Sequence, residues 1–389
     1  MTDFTLHIPT KVIFGHGAHH RVGETVASYG FRKILLVYGG KSIKQNGVYR
    51  DVTESLEKNG IDYAEMGGVR ANPTVEFAQR TADFARDVNA EMFLAVGGGS
   101  VIDTCKYAAH AVANNARVAD IQDRSAKVQT TMPVGVVLTI AAAGSETSDS
   151  AVVTNEATGA KRGLSTPLNY PLFAIMNPEL SFTVPPYQTA CGVVDILMHT
   201  MERYMRLDEG DHTLVDAVSE ALCKSVIDAG KRALAKSDDY DARATLMLSG
   251  SWSHNGLTGA GAKTNMSAHK LEHEMSAIDP KIAHGAGLAV VWPAYLDYVN
   301  QYNPARIARY ARNIWGCTET DDAAAAKAGI EATRAYFKEL KMPATLTELG
   351  LTEKDIETMA KRALSYGGDI AACKPITEQD AIEIYRHCL

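Results

Sequence analysis

Cysteines are few and scattered. Cys105, Cys191, Cys223, Cys317, Cys373 and Cys388 form no C-x-x-C pair and keep no short regular spacing, so they read as reduced, mostly buried thiols of a cytosolic protein. Long runs of one charge are also missing. The formal net charge of -7 is spread along the chain, leaving no patch that would attract nucleic acid or an anionic membrane. The longest weakly polar run, residues 132–144, is too short to span a bilayer and contains Pro133 and Gly135. The first residues, MTDFTLHIPTKVIFG, carry Asp3 and no basic segment leading into an apolar one. They are not expected to act as a secretory signal and read as strands. No internal repeat and no low-complexity segment is present. What remains is a 389-residue chain, 46% hydrophobic, long enough for a large core and two domains and expected to be cytoplasmic.

The first half alternates apolar runs with helical periodicity. Residues 34–38 (ILLVY) end in Gly39-Gly40, and residues 48–59 then have a helical pattern. A further strand is expected at 64–68, and Pro73 opens the helical stretch TVEFAQRTADFARDV. Residues 92–96 (MFLAV) are apolar throughout, as in a parallel strand buried on both faces. They run into Gly97-Gly98-Gly99-Ser100 and a helix over 101–114, with Ser100 as cap and Asp103 three residues later. Glycines there let the backbone approach a pyrophosphate, and the helix N-terminus offers free N–H groups. GGGS is not the G-x-G-x-x-G fingerprint, and such a turn is often only a tight turn; its place after a buried strand favours phosphate binding. Residues 134–139 (VGVVLT) form another buried strand, followed by the small-residue loop AAAGSETS, and 151–154 and 174–176 read as strands. This α/β, Rossmann-like domain is expected to end near residue 182.

Composition shifts at Val184-Pro185-Pro186-Tyr187. Residues 183–389 are rich in Ala, Leu, Glu, Lys and Arg and read as an all-α domain. Helices are expected near 188–205, 212–235, 240–255, 267–278, 287–299, 304–315, 321–339, 353–366 and 378–388.

Two constellations stand out in this half. His269 and His273 are four apart on one helical face, and His284 follows a turn at Asp279-Pro280. Asp195 and His199, in GVVDILMHTMERY, are again four apart. A lone histidine on a helix is usually a satisfied core or surface residue; two such pairs with a third histidine suit a divalent ion such as Fe(II) or Zn(II). The letters His269-Lys270-Leu271-Glu272-His273 also spell H-x-x-E-H, the pattern of some metalloproteases with the glutamate as general base. A peptidase has no use for a pyrophosphate cradle, which favours a cleft where a nicotinamide meets a metal-held substrate.

Together these residues resemble the iron-containing (group III) alcohol dehydrogenase family, in its butanol dehydrogenase and aldehyde reductase branch. The resemblance runs from Gly39-Gly40 through GGGSVIDTCK (97–106), Gly144-Ser145-Glu146, NPEL (177–180) and GVVDILMHTME (192–202) to HKLEHEMSA (269–277). It implies Asp195, His199, His269 and His284 as metal ligands, with His273 beside nicotinamide and substrate. It implies Gly97, Gly98, Gly99, Ser100 and Asp103 at the pyrophosphate, Leu138, Thr139 and Ser145 touching the cofactor, and Lys161 reaching toward its ribose. Two departures are visible: Asp279-Pro280-Lys281 lengthens the interval from His269 to His284 by one residue, and Asn177 replaces a common Asp.

NAD-selective relatives usually place an Asp at the end of the first strand, where it holds the ribose and repels a 2′-phosphate. Here the residues are Gly39, Gly40, Lys41 and Ser42, so NADP(H) is expected to be preferred, with NAD(H) possible. The reaction implied is reversible hydride transfer between nicotinamide and a short- to medium-chain aldehyde or primary alcohol, with Fe(II) as the metal or Zn(II) as alternative. His273 is the expected proton carrier. A glycerol or other polyol dehydrogenase is the nearest rival, and an H-x-x-E-H metallohydrolase a remote one. Relatives are commonly homodimers, and a homodimer is expected here.

Overall fold

The computed structural model describes residues 1–206, 210–365 and 374–389. Cys373 and Tyr366, the expected end of one helix, lie outside the described residues. The chain divides into two compact units. The first comprises His7–Val184 with Ser237–Ser251, and the second Met1–Leu6, Pro185–Lys236 and Trp252–Leu389.

The first unit is built on β1 (Lys11–Phe14), β2 (Lys33–Tyr38), β3 (Asp62–Met66), β4 (Met92–Gly97), β5 (Val134–Leu138), β6 (Ser150–Asn155), β7 (Ala160–Ser165) and β8 (Phe173–Met176). Its helices are α1 (Val22–Ser28), α2 (Ser42–Gln45), α3 (Val48–Lys58), α4 (Val75–Asp87), α5 (Gly99–Ala113) and α6 (Val118–Gln122). Six strands form one parallel sheet in the order β1-β8-β5-β4-β2-β3, and β6 and β7 form a separate antiparallel hairpin. The continuous apolar runs of β4, β5 and β8 are buried on both faces, because residues alternate between two cores. Leu35, Val37, Phe93 and Ala95 enter one; Ile34, Leu36, Met92 and Leu94 enter the other.

Register brings the carboxyl ends of the central strands together. Tyr38 pairs with Val96, and Gly97 with Leu138. The turns after β2, β4 and β5 therefore open at one edge, where the strand order reverses direction between β2 and β4. Such a switch point is the usual ligand position of open parallel sheets.

Several local expectations are corrected. Ser100 is not the cap of the helix after β4: the strand continues through Gly97, Gly98 takes the N-cap position, and α5 starts at Gly99. Thr74, one residue after Pro73, caps α4 by accepting from Phe77 N. The strand expected at 64–68 lies two residues earlier as β3, and β7 was not anticipated.

The second unit holds α7 (Pro186–Tyr204), α8 (Thr213–Ala235), α10 (Ser267–Ile278), α11 (His284–Asn300), α12 (Pro304–Tyr310), α13 (Asp322–Glu339), α14 (Glu353–Ser365) and α15 (Glu378–Arg386). Helix α9 (Tyr240–His254) belongs mostly to the first unit. The helix expected at 304–315 ends at Tyr310 and continues as a π-helical turn to Trp315. Pro186 opens α7 where its missing N–H costs nothing, and almost every later residue of α7 is buried. Its polar residues therefore need partners within the unit. No helix among the described residues is long and apolar enough to cross a membrane.

Candidate metal centre

Asp195, His199 and Glu202 lie at i, i+4 and i+7 of α7, so all three project from one face. Helix α10 brings His269 and Glu272, also buried. It stops at Ile278, and a turn in which Asp279 accepts from Lys281 N and Ile282 N leads to His284 as the first residue of α11. The lengthened interval is taken up in this turn, and His284 does fold back.

Four donor atoms converge. Oδ1 of Asp195 lies 3.4 Å from Nδ1 of His199, 3.6 Å from Nε2 of His269 and 3.7 Å from Nε2 of His284. Asp195 Oδ1, His199 Nδ1 and His269 Nε2 are buried and have no hydrogen-bond partner among the described residues. Orphaned polar atoms are costly in a protein interior. A tetrahedral ion with bonds of about 2.0–2.2 Å would hold its donors roughly 3.3–3.6 Å apart; the distances from Asp195 are close to that size, so Asp195, His199 and His269 fit a divalent cation, with His284 3.7 Å from Asp195 as the further donor. Two other groupings occur among the described residues: Glu272, His273 and His284, which shares His284 with this centre, and His19, His20 and Asp51, which lacks that signature, since His19 is already engaged by Asp51 and by Asn177.

The far side of two rings is occupied. Glu202 accepts from Ala268 N at 2.6 Å and from His269 N at 3.2 Å, and it also meets His269 Nδ1. Glu272 meets His284 Nδ1. The glutamate that H-x-x-E-H would use as general base is thus turned toward an imidazole. Burial holds the pKa of His199 well below its usual value, helped by the neighbouring rings of His254 and His269 and by Arg203. Burial also opposes the charged form of His269, but Glu202 and Asp195 outweigh it and raise the group to about 9. His273 is half-buried, its ring centroid 5.5 Å from that of His284.

In the first unit the expected cofactor residues gather at the open edge of the sheet. Gly39, Gly40, Lys41 and Ser42 follow β2; a side chain at Gly40 would meet nothing within 4 Å, and Lys41 and Ser42 are exposed. Gly98 and Gly99 are half-exposed, while a Cβ on Gly98 would lie 2.3 Å from Ile140 Cγ2. A side chain there would have to displace Ile140. Thr139 N donates to Gly97 O at 3.1 Å, binding the two turns to each other.

Asp103 and Ser145, both expected at the cofactor, are bonded to one another. Ser145 Oγ donates to Asp103 Oδ1 at 2.6 Å, and Val152 N donates to Asp103 Oδ2 at 2.8 Å. Lys106, only 1% exposed, donates to Ser145 O, Ser145 Oγ, Ser148 O and Ser150 O at 2.7–3.0 Å. Lys161 donates to Asn72 at 3.1 Å.

Sequence reasoning passed over Lys106 as a brace and Glu202 and Glu272 as partners of the histidines. The signal for Glu202 was its spacing on the Asp195–His199 face; for Lys106 no spacing rule would have served.

The family model for iron-containing alcohol dehydrogenase matches residues 9–178, and that for the Fe-containing alcohol dehydrogenase family, C-terminal, matches residues 189–389. The chain is 38% identical over 389 residues to NADH-dependent butanol dehydrogenase A of Clostridium acetobutylicum, covering 99% of each. It is 34% identical over 371 residues to the NADPH-dependent aldehyde reductase YqhD of Escherichia coli, covering 94% of each. The crystal structure of NADH-dependent butanol dehydrogenase A from Thermotoga maritima matches with a TM-score of 0.96 at 34% identity, covering 100% of this chain and 99% of that one.

Proposed function

Because this chain belongs to the iron-containing alcohol dehydrogenase family and is an alcohol and aldehyde oxidoreductase using a nicotinamide cofactor and a metal, we propose that it reduces short- to medium-chain aldehydes with NADPH. The observation that carries the reading is that Asp195 Oδ1 lies 3.4–3.7 Å from His199 Nδ1, His269 Nε2 and His284 Nε2, with Asp195, His199 and His269 buried.

In this reading those four side chains hold one divalent ion, Fe(II) in preference to Zn(II). When bound, the ion supplies Lewis acidity to the substrate carbonyl and the dihydronicotinamide supplies the hydride. Asp195 contributes a hard anionic donor, and the three imidazoles keep the site selective for a transition ion over Mg²⁺ or Ca²⁺. Burial of Asp195, His199 and His269 excludes water that would compete for the ion. His273, less buried than the ligands, carries the proton to the nascent alcohol, directly or through water.

Gly39, Gly40, Lys41, Ser42, Gly97, Gly98, Gly99, Ser100, Leu138 and Thr139 form the cofactor-binding edge. The absence of a carboxylate in the turn after β2, with Lys41 and Ser42 exposed there, supports acceptance of a 2′-phosphate. Lys161 reaches toward the ribose in the same reading, while Asp103 and Ser145 act as braces. The five cysteines among the described residues are free thiols, in keeping with a cytoplasmic enzyme, and the family resemblance implies a homodimer.

Steady-state kinetics with butyraldehyde, glycerol and each dinucleotide test the reading. It requires kcat/KM for butyraldehyde with NADPH to exceed that for oxidation of glycerol; the reverse order would assign the chain to the polyol dehydrogenases.

A further inference from the structure

A neutral imidazole carries its proton on one nitrogen only, so a histidine serves an ion only when its other nitrogen is the protonated one. We propose that Glu202 and Glu272 are positioning residues that fix His269 and His284 in the Nδ1–H tautomer, and that Gly287 is glycine because Glu272 occupies the place of its side chain. The inference rests on the metal-centre reading above.

Glu272 is completely buried and Glu202 is 2% exposed. Carboxylates are rarely buried to this degree without a paired donor, and here each faces Nδ1 of a histidine whose Nε2 points at Asp195. His199 presents Nδ1 to Asp195 instead. The two glutamates therefore serve the histidines from α10 and α11, and not the one that shares α7 with Asp195.

The glycines of His284-Gly285-Ala286-Gly287 show how the pair is seated. Neither has a left-handed backbone, so conformation does not require glycine, and glycine is disfavoured relative to alanine inside a helix. Space requires it. A Cβ on Gly285 would lie 2.1 Å from the carbonyl oxygen of Cys191, one turn before Asp195 on α7. A Cβ on Gly287 would lie 2.6 Å from Cγ and 3.0 Å from Oε1 of Glu272. The first glycine lets α11 lie against α7 so that His284 reaches Asp195; the second leaves room for the carboxylate that orients His284. Gly287→Ala removes no donor and no charge, yet it must displace Glu272.

The test is metal affinity, measured on metal-free full-length protein by competition with a chromophoric chelator for Zn(II), with the absorption bands of bound Co(II) as a second readout. E202Q, E272Q and G287A are expected to bind Zn(II) about 10- to 100-fold more weakly than the parent, with shifted Co(II) bands and thermal midpoints of the metal-free proteins close to that of the parent. If E272Q fails to fold, G287A carries the test. Zn(II) affinities within about twofold of the parent in all folded variants would overturn the inference. D195A serves as the control: parental affinity in that variant would instead overturn the metal-centre reading itself.

Discussion

The ammonium of Lys106 lies 2.7 Å from the carbonyl oxygen of Ser145, and further bonds to Ser148 O and Ser150 O tie α5 to the loop after β5. Burial lowers this lysine to about 8, so it is still charged at neutral pH. Lys106→Met would leave the buried carbonyls of Ser145 and Ser148 and the half-buried one of Ser150 without this donor, at about 1–3 kcal/mol for each buried one that finds no other partner. The expected result is a loss of at least about 2 kcal/mol in urea denaturation, together with weaker NADPH binding by fluorescence titration. Unchanged stability would show that the carbonyls find other donors.

A second ion cluster governs the acid side of stability. Asp216 accepts from Arg306 and Arg206 and is 1% exposed. Burial alone would raise its pKa, but the two guanidinium groups hold the carboxyl well below the usual carboxylate range. With the folded value depressed, its stabilisation is complete above the unfolded value of about 3.9 and is lost as pH falls through the folded one. Asp216→Asn should cost about 3–5 kcal/mol at pH 7, because buried arginines lose their partner. The difference from the parent should be flat above about pH 5 and shrink below about pH 4. A difference that grows as pH falls through that window would contradict this assignment.

Much of this architecture was legible beforehand. Strands such as Met92–Gly97 are apolar throughout because both faces are covered, and α10 occupies the span its periodicity indicates. Strand β7 was not legible: AKRGLS is polar, with only its first residues buried. The cap at Gly98 was hidden because Ser100 has the better capping chemistry, while strand length decides where the helix starts. In the site, spacing brings out Asp195 with His199 and His269 with its neighbours. It cannot reveal which nitrogen each ring presents or that Glu272 faces His284, since those depend on the packing of α10 against α11.

In the proposed reaction His273 delivers the proton. His273→Phe should lower kcat for aldehyde reduction by about 10²–10⁴-fold, leave metal content unchanged and remove the ionisation near neutral pH from the rate profile. A parental rate and pH profile in this variant would sink the assignment.

Cofactor choice rests on the turn after β2. The parent should show a higher kcat/KM with NADPH than with NADH; a tenfold or greater preference for NADH would reject this. A Cβ on Gly39 would lie 3.3 Å from the backbone oxygen of Val69, a tight contact, whereas one on Gly40 would meet nothing within 4 Å. Gly40→Asp should lower kcat/KM for NADPH by more than tenfold, since one added charge repels a 2′-phosphate, while NADH is affected far less. Equal losses with both cofactors would point to a local packing defect.

The central claim is tested most directly by NADPH oxidation with butyraldehyde, using protein stripped of metal and reloaded separately with Fe(II), Zn(II) or Mn(II), beside Asp195→Ala treated identically. The account predicts no turnover in the stripped protein, recovery with Fe(II) above the other ions, and no recovery of Asp195→Ala with any of them. Full activity in the stripped protein, or a reloaded Asp195→Ala as active as the parent, would contradict it.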